Sequence, residues 1–401
     1  MSFLAYPTTT TQDKLLALAG ELADTFAKRA GDYDLEGHFP LENFEDLRRS
    51  GYLALVVPSD LGGWGASLLD VLHAQYRLAQ GDASTALITS MHMLHVARLV
   101  DGRSEYPPLV ERICRDVVER GALINSAVSE PAMGSPSRGG RSQTTARRQP
   151  DGSWIINGRK TFTTGSYALH YILVGCSIED DAHDVPDLPL LKADKGNFLV
   201  LHSTPGVHIE DTWHSVAMRG TGSNDLVLEN VHVGADAYVE EQVPPIPDAA
   251  LRLAGWSSLT SAVYLGIAQA ARDEAIAFAR KRRPNSLQKP IASVPHIQEK
   301  TGKMELGLLQ SRALLFGLGE QFSADPTSVD PSLFAAAKYT ATNSAIEIVD
   351  LAMRIVGAAS LSLSSPLQRY YRNVRAGLHN PPMDDITLSM LAKRALEPVE
   401  E

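Results

Sequence analysis

Cysteine is scarce: Cys114 and Cys176 are the only two in 401 residues. Neither a disulfide framework nor a cysteine-based metal site is expected, which fits a reducing compartment. A basic excess is missing as well. The formal net charge of -10 argues against a general binder of nucleic acid or anionic membrane, and leaves room only for a local basic pocket around a phosphate-bearing ligand. No apolar run approaches the roughly 20 residues that cross a bilayer. Met1 to Gln12 carries neither a basic nor an apolar leader region, so no secretory signal and a cytoplasmic location are expected.

Familiar chemistry is missing too. No Gly-x-Gly-x-x-Gly follows a strand and opens a helix, so a dinucleotide fold has no support. No Gly-rich phosphate loop ends in Lys-Ser or Lys-Thr, and no Gly-x-Ser-x-Gly elbow marks a hydrolase nucleophile. His92 and His95 lie three apart on a predicted helix, a spacing that suits two metal ligands. With no carboxylate or third ligand nearby, no metal is expected. Packing, or for His92 a place beside the substrate, is the reading kept.

What is present changes character twice. From about Asp13 to Arg120 the period is helical: Leu15, Leu18, Leu22 and Phe26 form one apolar face, and Pro107–Pro108 suits the start of a helix reaching about Arg120. From about Leu123 to Val239 the period moves towards two. Gln143 to Arg148 and Trp154 to Asn157 flank Asp151–Gly152, a hairpin signal, and Asn157–Gly158 reads as punctuation before the next strand. Tyr171 to Cys176, Asn197 to Leu201 and Leu226 to Val233 are further strand candidates, and Glu179 to Lys195 reads as a surface loop. Helical stripes then return through Leu259, Val263, Ile267 and Ala270, and through Leu333, Ala337, Ala341, Ser344, Ile348, Leu351 and Ile355. Their small residues suit a bundle. The expected domains are 1–121 helical, 122–240 β and 241–401 a helical bundle.

Three segments resemble the acyl-CoA dehydrogenase superfamily. Ser126-Ala-Val-Ser-Glu-Pro-Ala-Met-Gly-Ser135 is similar to the family's Thr-Glu-Pro-x-x-Gly-Ser stretch, with Ser129 at the usual Thr. Asn157-Gly-Arg-Lys-Thr-Phe-Thr-Thr-Gly-Ser166 resembles Asn-Gly-x-Lys-x-[aromatic]-Ile-Thr-Asn-Gly. Met218-Arg-Gly-Thr-Gly-Ser-Asn-Asp-Leu-Val-Leu-Glu-Asn-Val231 is close to the signature ending the family's β-domain. The resemblance covers nearly the whole chain. It implies an α+β, mainly α, fold: an N-terminal helical domain, a central β-domain and a C-terminal four-helix bundle. FAD is the implied cofactor, held by Ser126, Val128, Ser129, Phe162, Thr163 and Thr164. Phe162 would cover one flavin face, Thr164 would bond near N5, and Ser135 would reach the substrate. Ala352-Met-Arg-Ile-Val-Gly-Ala-Ala359 resembles the family's Gln-Ile-x-Gly-Gly turn that meets a partner subunit's FAD, with Arg354 for Gln and Gly357 kept. That implies a homotetramer or homodimer. Arg282 matches an arginine near the cofactor pyrophosphate, and a solvated basic helix end explains it equally.

The departures matter most. The family's enzymes remove an α-proton with a glutamate, since a carboxylate stripped of water gains basicity. The resemblance puts Pro381 at its usual site and Trp256 at its alternative one, with Ser257 at a CoA-contacting arginine. Asp384, and after it Asp385, is the replacement candidate, against the alternative that both sit in a helix's first turn. Leu378-His-Asn-Pro381 instead resembles the loop of two-component flavin monooxygenases that share the fold. There a histidine, here His379, sits by the flavin and helps form or protect the C4a-hydroperoxide. The expected function is α,β-dehydrogenation of an acyl-CoA, with reduced-flavin monooxygenation of an aromatic or heteroatom substrate as the alternative. The matching partners are an electron-transfer flavoprotein or a flavin reductase.

Overall fold

A computed structural model describes residues 6–101, 105, 107–133, 141–179, 194–242 and 249–396. The architecture is helical, then β, then helical. The N-terminal helices are α1 (Thr10–Ala27), α2 (Ala30–Glu36), α3 (Leu41–Ser50), α4 (Leu68–Gly81), α5 (Ala83–Val100) and α6 (Pro108–Arg120). Local signals explain their ends. Ser67 and Asp70 form a capping box on α4, and Asp82 caps α5 through the amides of Ser84 and Thr85. Pro108 opens α6, and Gly121 closes it with a left-handed φ of 60°.

The β-domain holds β1 (Leu123–Ala127), β2 (Thr145–Arg148), β3 (Trp154–Thr163), β4 (Leu169–Glu179), β5 (Lys195–Leu201), β6 (Val207–Glu210) and β7 (Asn224–Val233). Along one edge of β4 lie β1 and then β2, both parallel to it, while β5 takes the other edge antiparallel. From β2 the sheet continues through β3 and β7 to β6. The Asp151–Gly152 hairpin forms between β2 and β3. Asn157–Gly158 does not separate two strands. β3 runs through it with a register shift, and Gly158 sits at φ 149° because a Cβ there would stand 2.5 Å from Thr144 Oγ1. The short β6, following the Pro205–Gly206 turn, was not expected. The expected loop at 180–193 lies outside the described residues.

After α7 (Val239–Gln242), the bundle comprises α8 (Ala249–Lys281), α9 (Pro295–Ala324), α10 (Pro331–Val356), α11 (Pro366–Ala376) and α12 (Asp384–Leu396). Ala262, Ala268, Ala271 and Ala275 of α8 and Ala341 and Ala345 of α10 are fully buried, so small side chains let these two long helices approach closely. No helix among the described residues is long and apolar enough to cross a membrane.

Two ties join the layers. His92 of α5 accepts from the Ile124 amide through Nδ1 (3.2 Å) and bonds the Leu53 carbonyl through Nε2 (3.0 Å), so its proton rests on Nε2. Burial pushes this imidazole down to about 4. The expectation that His92 faces substrate is therefore corrected: it is fully buried, and both ring nitrogens are spent on backbone. The second tie is Arg372 of α11, which clasps the buried carboxylate of Asp34 on α2 and donates to the Val216 carbonyl at 2.7 Å. Arg372→Met should leave that carboxylate without its cation and cost roughly 3 kcal/mol. Urea melts monitored by circular dichroism check this. A shift worth less than about 0.5 kcal/mol would place the pair with ordinary surface ion pairs.

Candidate functional site

The first two motif segments are bolted together by a buried ion pair. Lys160 Nζ meets Glu130 Oε1 at 2.5 Å, with 0% and 1% of the two side chains exposed. Glu130 also accepts from the amides of Gln143 (2.6 Å) and Thr144 (3.0 Å) and from the Ser142 hydroxyl. Lys160 donates onward to Ser142 Oγ at 3.0 Å. Burial alone would raise the Glu130 carboxyl. The Lys160 ammonium and the bonds from Ser142, Thr144 and Gln143 outweigh that and hold it at about 2.

Around this pair the segments form one wall. The Thr161 amide donates to the Ser129 carbonyl at 2.9 Å. Asn125 spans from β1 to the turn after β3: its Nδ2 donates to the Thr164 carbonyl, and its Oδ1 accepts from the Ser126 amide, both at 2.8 Å. Thr164 Oγ1 lies 3.0 Å from Ser223 Oγ, which brings in the third segment. That segment reaches the bundle as well, because the Met218 amide donates to Asn373 Oδ1 at 2.7 Å.

Phe162 stands out on this wall. It lies in a register shift of β3 with φ 57°, a conformation that costs a bulky residue of order 1–3 kcal/mol, and its ring is 59% exposed. Its neighbour Thr163 is buried, with an Oγ1 that has no hydrogen-bond partner among the described residues. Ser126, Val128 and Ser129 are half-buried beside them. An open aromatic face, a row of hydroxyls and one orphaned polar atom fit a flat heterocycle with a polar edge, which is what a flavin presents. Ser135 lies outside the described residues.

Three further residues belong here: Asn125, which no sequence pattern marked, Ser223, which lay in the third segment without a role, and His95, which was expected only to pack. Asn125 and Ser223 hold the wall as described. His95 on α5 is buried, with an Nε2 that lacks a hydrogen-bond partner among the described residues, and burial, Arg98 and His92 push it down to about 3 against a bond with Asn125. Their signal was present as polar residues at positions destined for the core, but burial cannot be read from a strand or helix period alone. Among the described residues no group of three metal-ligating side chains occurs.

The C-terminal candidates are placed apart from one another. His379 is exposed in a short 3₁₀ turn, Gly377–His379. The next residue, Asn380, accepts from the Tyr264 hydroxyl of α8 at 2.5 Å, and this pins the loop to the bundle. Asp384 opens α12 and turns towards α10. Its Oδ2 accepts from Asn343 Nδ2 at 3.0 Å, and its Oδ1 lies 3.9 Å from the buried Lys338 ammonium. Burial lowers Lys338, and Asp384 works against that shift. Trp256 and Ser257 lie on α8. Arg282 is exposed just beyond the end of α8, and Arg354 is exposed and paired to Asp350 at 2.6 Å. Gly357 ends α10 at φ 73° and ψ -152°, with open space where a Cβ would stand.

Known proteins align with this arrangement along most of the chain. Residues 9–102, 125–231 and 254–396 match the N-terminal, middle and C-terminal domain models of acyl-CoA dehydrogenase. Putative acyl-CoA dehydrogenase YdbM of Bacillus subtilis (strain 168) is 46% identical over 380 residues, covering 94% of this chain and 95% of its own. Amino sugar nitrososynthase DnmZ of Streptomyces peucetius is 30% identical over 390 residues, covering 93% and 90%. The crystal structure of FMN-bound TdsC from Paenibacillus sp. A11-2 superposes with a TM-score of 0.83 at 25% identity, covering 96% and 97%.

Two outcomes follow from the wall. A folded-state carboxyl lowered from 4.5 to about 2 stabilises the fold when ionised: the contribution is complete above the ordinary value and is lost as pH falls towards 2. Glu130→Gln should therefore be less stable than wild type at pH 7, and its melting midpoint should fall less between pH 4.5 and 2. Parallel curves would contradict this. Phe162→Gly should stabilise the flavin-free protein by about 1 kcal/mol by releasing the backbone while weakening flavin binding. Fluorescence titration and melting curves test the two halves, and a destabilised glycine variant would remove the strain argument.

Proposed function

The chain belongs to the acyl-CoA dehydrogenase family, and from that footing we propose that it is a flavin-dependent monooxygenase fed by a separate reductase. Its substrate carries the oxidised position on nitrogen, sulfur or an aromatic carbon. One observation carries this reading: Asp384 is engaged by Asn343 beside Lys338, while the exposed ionisable side chain of the 377–383 loop is His379. No other carboxylate occurs in that loop, nor in α8 before Asp273. Proton abstraction from carbon calls for a base aimed at the substrate, and a carboxylate that accepts from a neighbouring helix is aimed elsewhere.

A bound reduced flavin would supply the two electrons that activate dioxygen. The chain's own residues have simpler tasks. Phe162 would cover one face of the ring. Thr163, Ser126 and Ser129 would offer hydroxyls to its polar edge, and Thr164, held by Ser223, would serve the same purpose. Tyr264 holds Asn380 so that His379 keeps its place at the mouth of the loop. From there its imidazole can hydrogen-bond a neighbouring group through either ring nitrogen. The nitrososynthase relative, named for an amino sugar, supports oxygenation at nitrogen.

A second reading is α,β-dehydrogenation of an acyl-CoA with electrons passed to an electron-transfer flavoprotein. It is favoured by the name of the 46% identical relative. FAD, expected from the Arg354–Ala359 turn, belongs with an assembly in which that turn meets a partner subunit. FMN, present in the superposed structure, needs nothing from it.

The readings separate by absorbance, first without oxygen and then on mixing with it. Under the monooxygenase reading no acyl-CoA bleaches the flavin, and reduced flavin mixed with oxygen gives a transient absorbance that His379→Ala shortens by roughly tenfold or more. Bleaching by a thioester would transfer the assignment to dehydrogenation. For the cofactor, Arg354→Ala should weaken FAD and leave FMN binding unchanged if the turn holds the adenylate. Equal affinities in both proteins would exclude that role.

A further inference from the structure

A groove of about 810 Å³ opens on the β-domain where α3 and α6 face the start of β4, the end of β5 and the exit from β7. Neither the Ser126–Ser129 segment, nor Phe162 to Thr164, nor the 377–384 loop lines it, so it is distinct from the candidate flavin wall. Its polar lining is imidazole-rich and carries more guanidinium than carboxylate: Arg48, Arg112 and Arg120 against Asp116 and Asp236, with His170, His202 and His232.

Two of the arginines have carboxylates of their own. Arg120 is closely paired with Asp116, which also accepts from the Tyr171 hydroxyl, and Arg112 lies 3.8 Å from Asp236. Arg48 differs. Among the described residues its guanidinium makes only a long bond, 3.4 Å, to the Gly121 carbonyl, and no carboxylate comes within ion-pair distance. Burial lowers its pKa, with Glu45 acting weakly in the other direction. A partly desolvated guanidinium without a counter-ion is costly, and an arriving oxyanion removes that cost. Arginine's planar fork matches phosphate geometry.

The histidines point the same way. His170 Nδ1 accepts from the Leu123 amide at 3.2 Å, so its proton sits on Nε2. His202, whose amide donates to the His170 carbonyl, has a buried Nε2 with no hydrogen-bond partner among the described residues. A buried polar atom left unpaired inside a cationic groove calls for a ligand atom. The volume falls in the range of small-molecule sites, roughly 300–1,000 Å³, and a lone ion would fill a minor part of it.

We propose that this groove is a second ligand site that binds a small organic phosphate of nucleotide size, with Arg48 facing the phosphate and His202 and His170 hydrogen-bonding its oxygens. The site stands independently of the reaction assigned to the flavin wall.

Calorimetric titration of the flavin-saturated full chain tests it, with ADP, inorganic phosphate and adenosine as probes. Saturating the flavin site first keeps ADP from reporting on that site. ADP should bind at one site per chain, adenosine should not bind, and Arg48→Met should weaken ADP by roughly tenfold or more with flavin content unchanged. His202→Gln, which leaves the Arg48 packing on Gly121 intact, should weaken ADP as well and serves if Arg48→Met fails to fold. No saturable ADP binding overturns the proposal, as does ADP affinity unchanged in the folded variants. Adenosine binding as tightly as ADP overturns it too, and inorganic phosphate matching ADP overturns the assignment to an organic ligand.

Discussion

The buried pair between Glu130 and Lys160 is the constraint around which the β-domain is arranged. Two opposite charges removed from water are tolerable only when their remaining hydrogen-bonding capacity is met. Here that requirement recruits Ser142, Gln143 and Thr144. Satisfying it brings the end of β1, the approach to β2 and the middle of β3 to one point. The wall bearing Ser129 and Phe162 is a consequence of that convergence.

The wall then hands its geometry to the helical layers through a few polar contacts. His92 couples α5 to β1, Asn373 couples α11 to the Met218 turn, and Arg372 couples α11 to α2. Each uses a neutral or fully paired group at a junction where apolar packing alone would allow sliding. The long helices α8 and α10 supply the opposite kind of cohesion, close contact between small side chains with little directional information. Directional bonds at the joints and dispersive contact within the bundle divide the work of specificity and stability.

Much of this was legible in the residues. The period change near 122 and the return to helical spacing marked out the three layers, and Pro107–Pro108 and Asp151–Gly152 marked a helix start and a hairpin that the structure has. The motif segments do come together, although their glutamate and lysine had no assigned task. Other features stayed hidden for physical reasons. Asn157–Gly158 looks like a turn because glycine also serves at a bulge, and only the proximity of Thr144 tells the two apart. His92 looks functional because a histidine's letter does not say whether backbone groups have claimed both nitrogens. The direction of Asp384 depends on Asn343 and Lys338, both some forty residues earlier in the chain. The cationic groove gathers α3, α6, β4, β5 and β7, and no local pattern reports such a gathering.

Asn125 with Thr164, and Thr164 with Ser223, hold the wall by hydrogen bonds of the protein's own. A flavin docking on a wall held in this way would need little ordering of it, which keeps the entropic cost low. A receptor built in this way can release its cofactor and take it up again without refolding. Under the reductase-fed reading proposed above, the flavin would be a travelling reagent, charged elsewhere and spent on this chain, and the traffic between two proteins would set the pace of turnover.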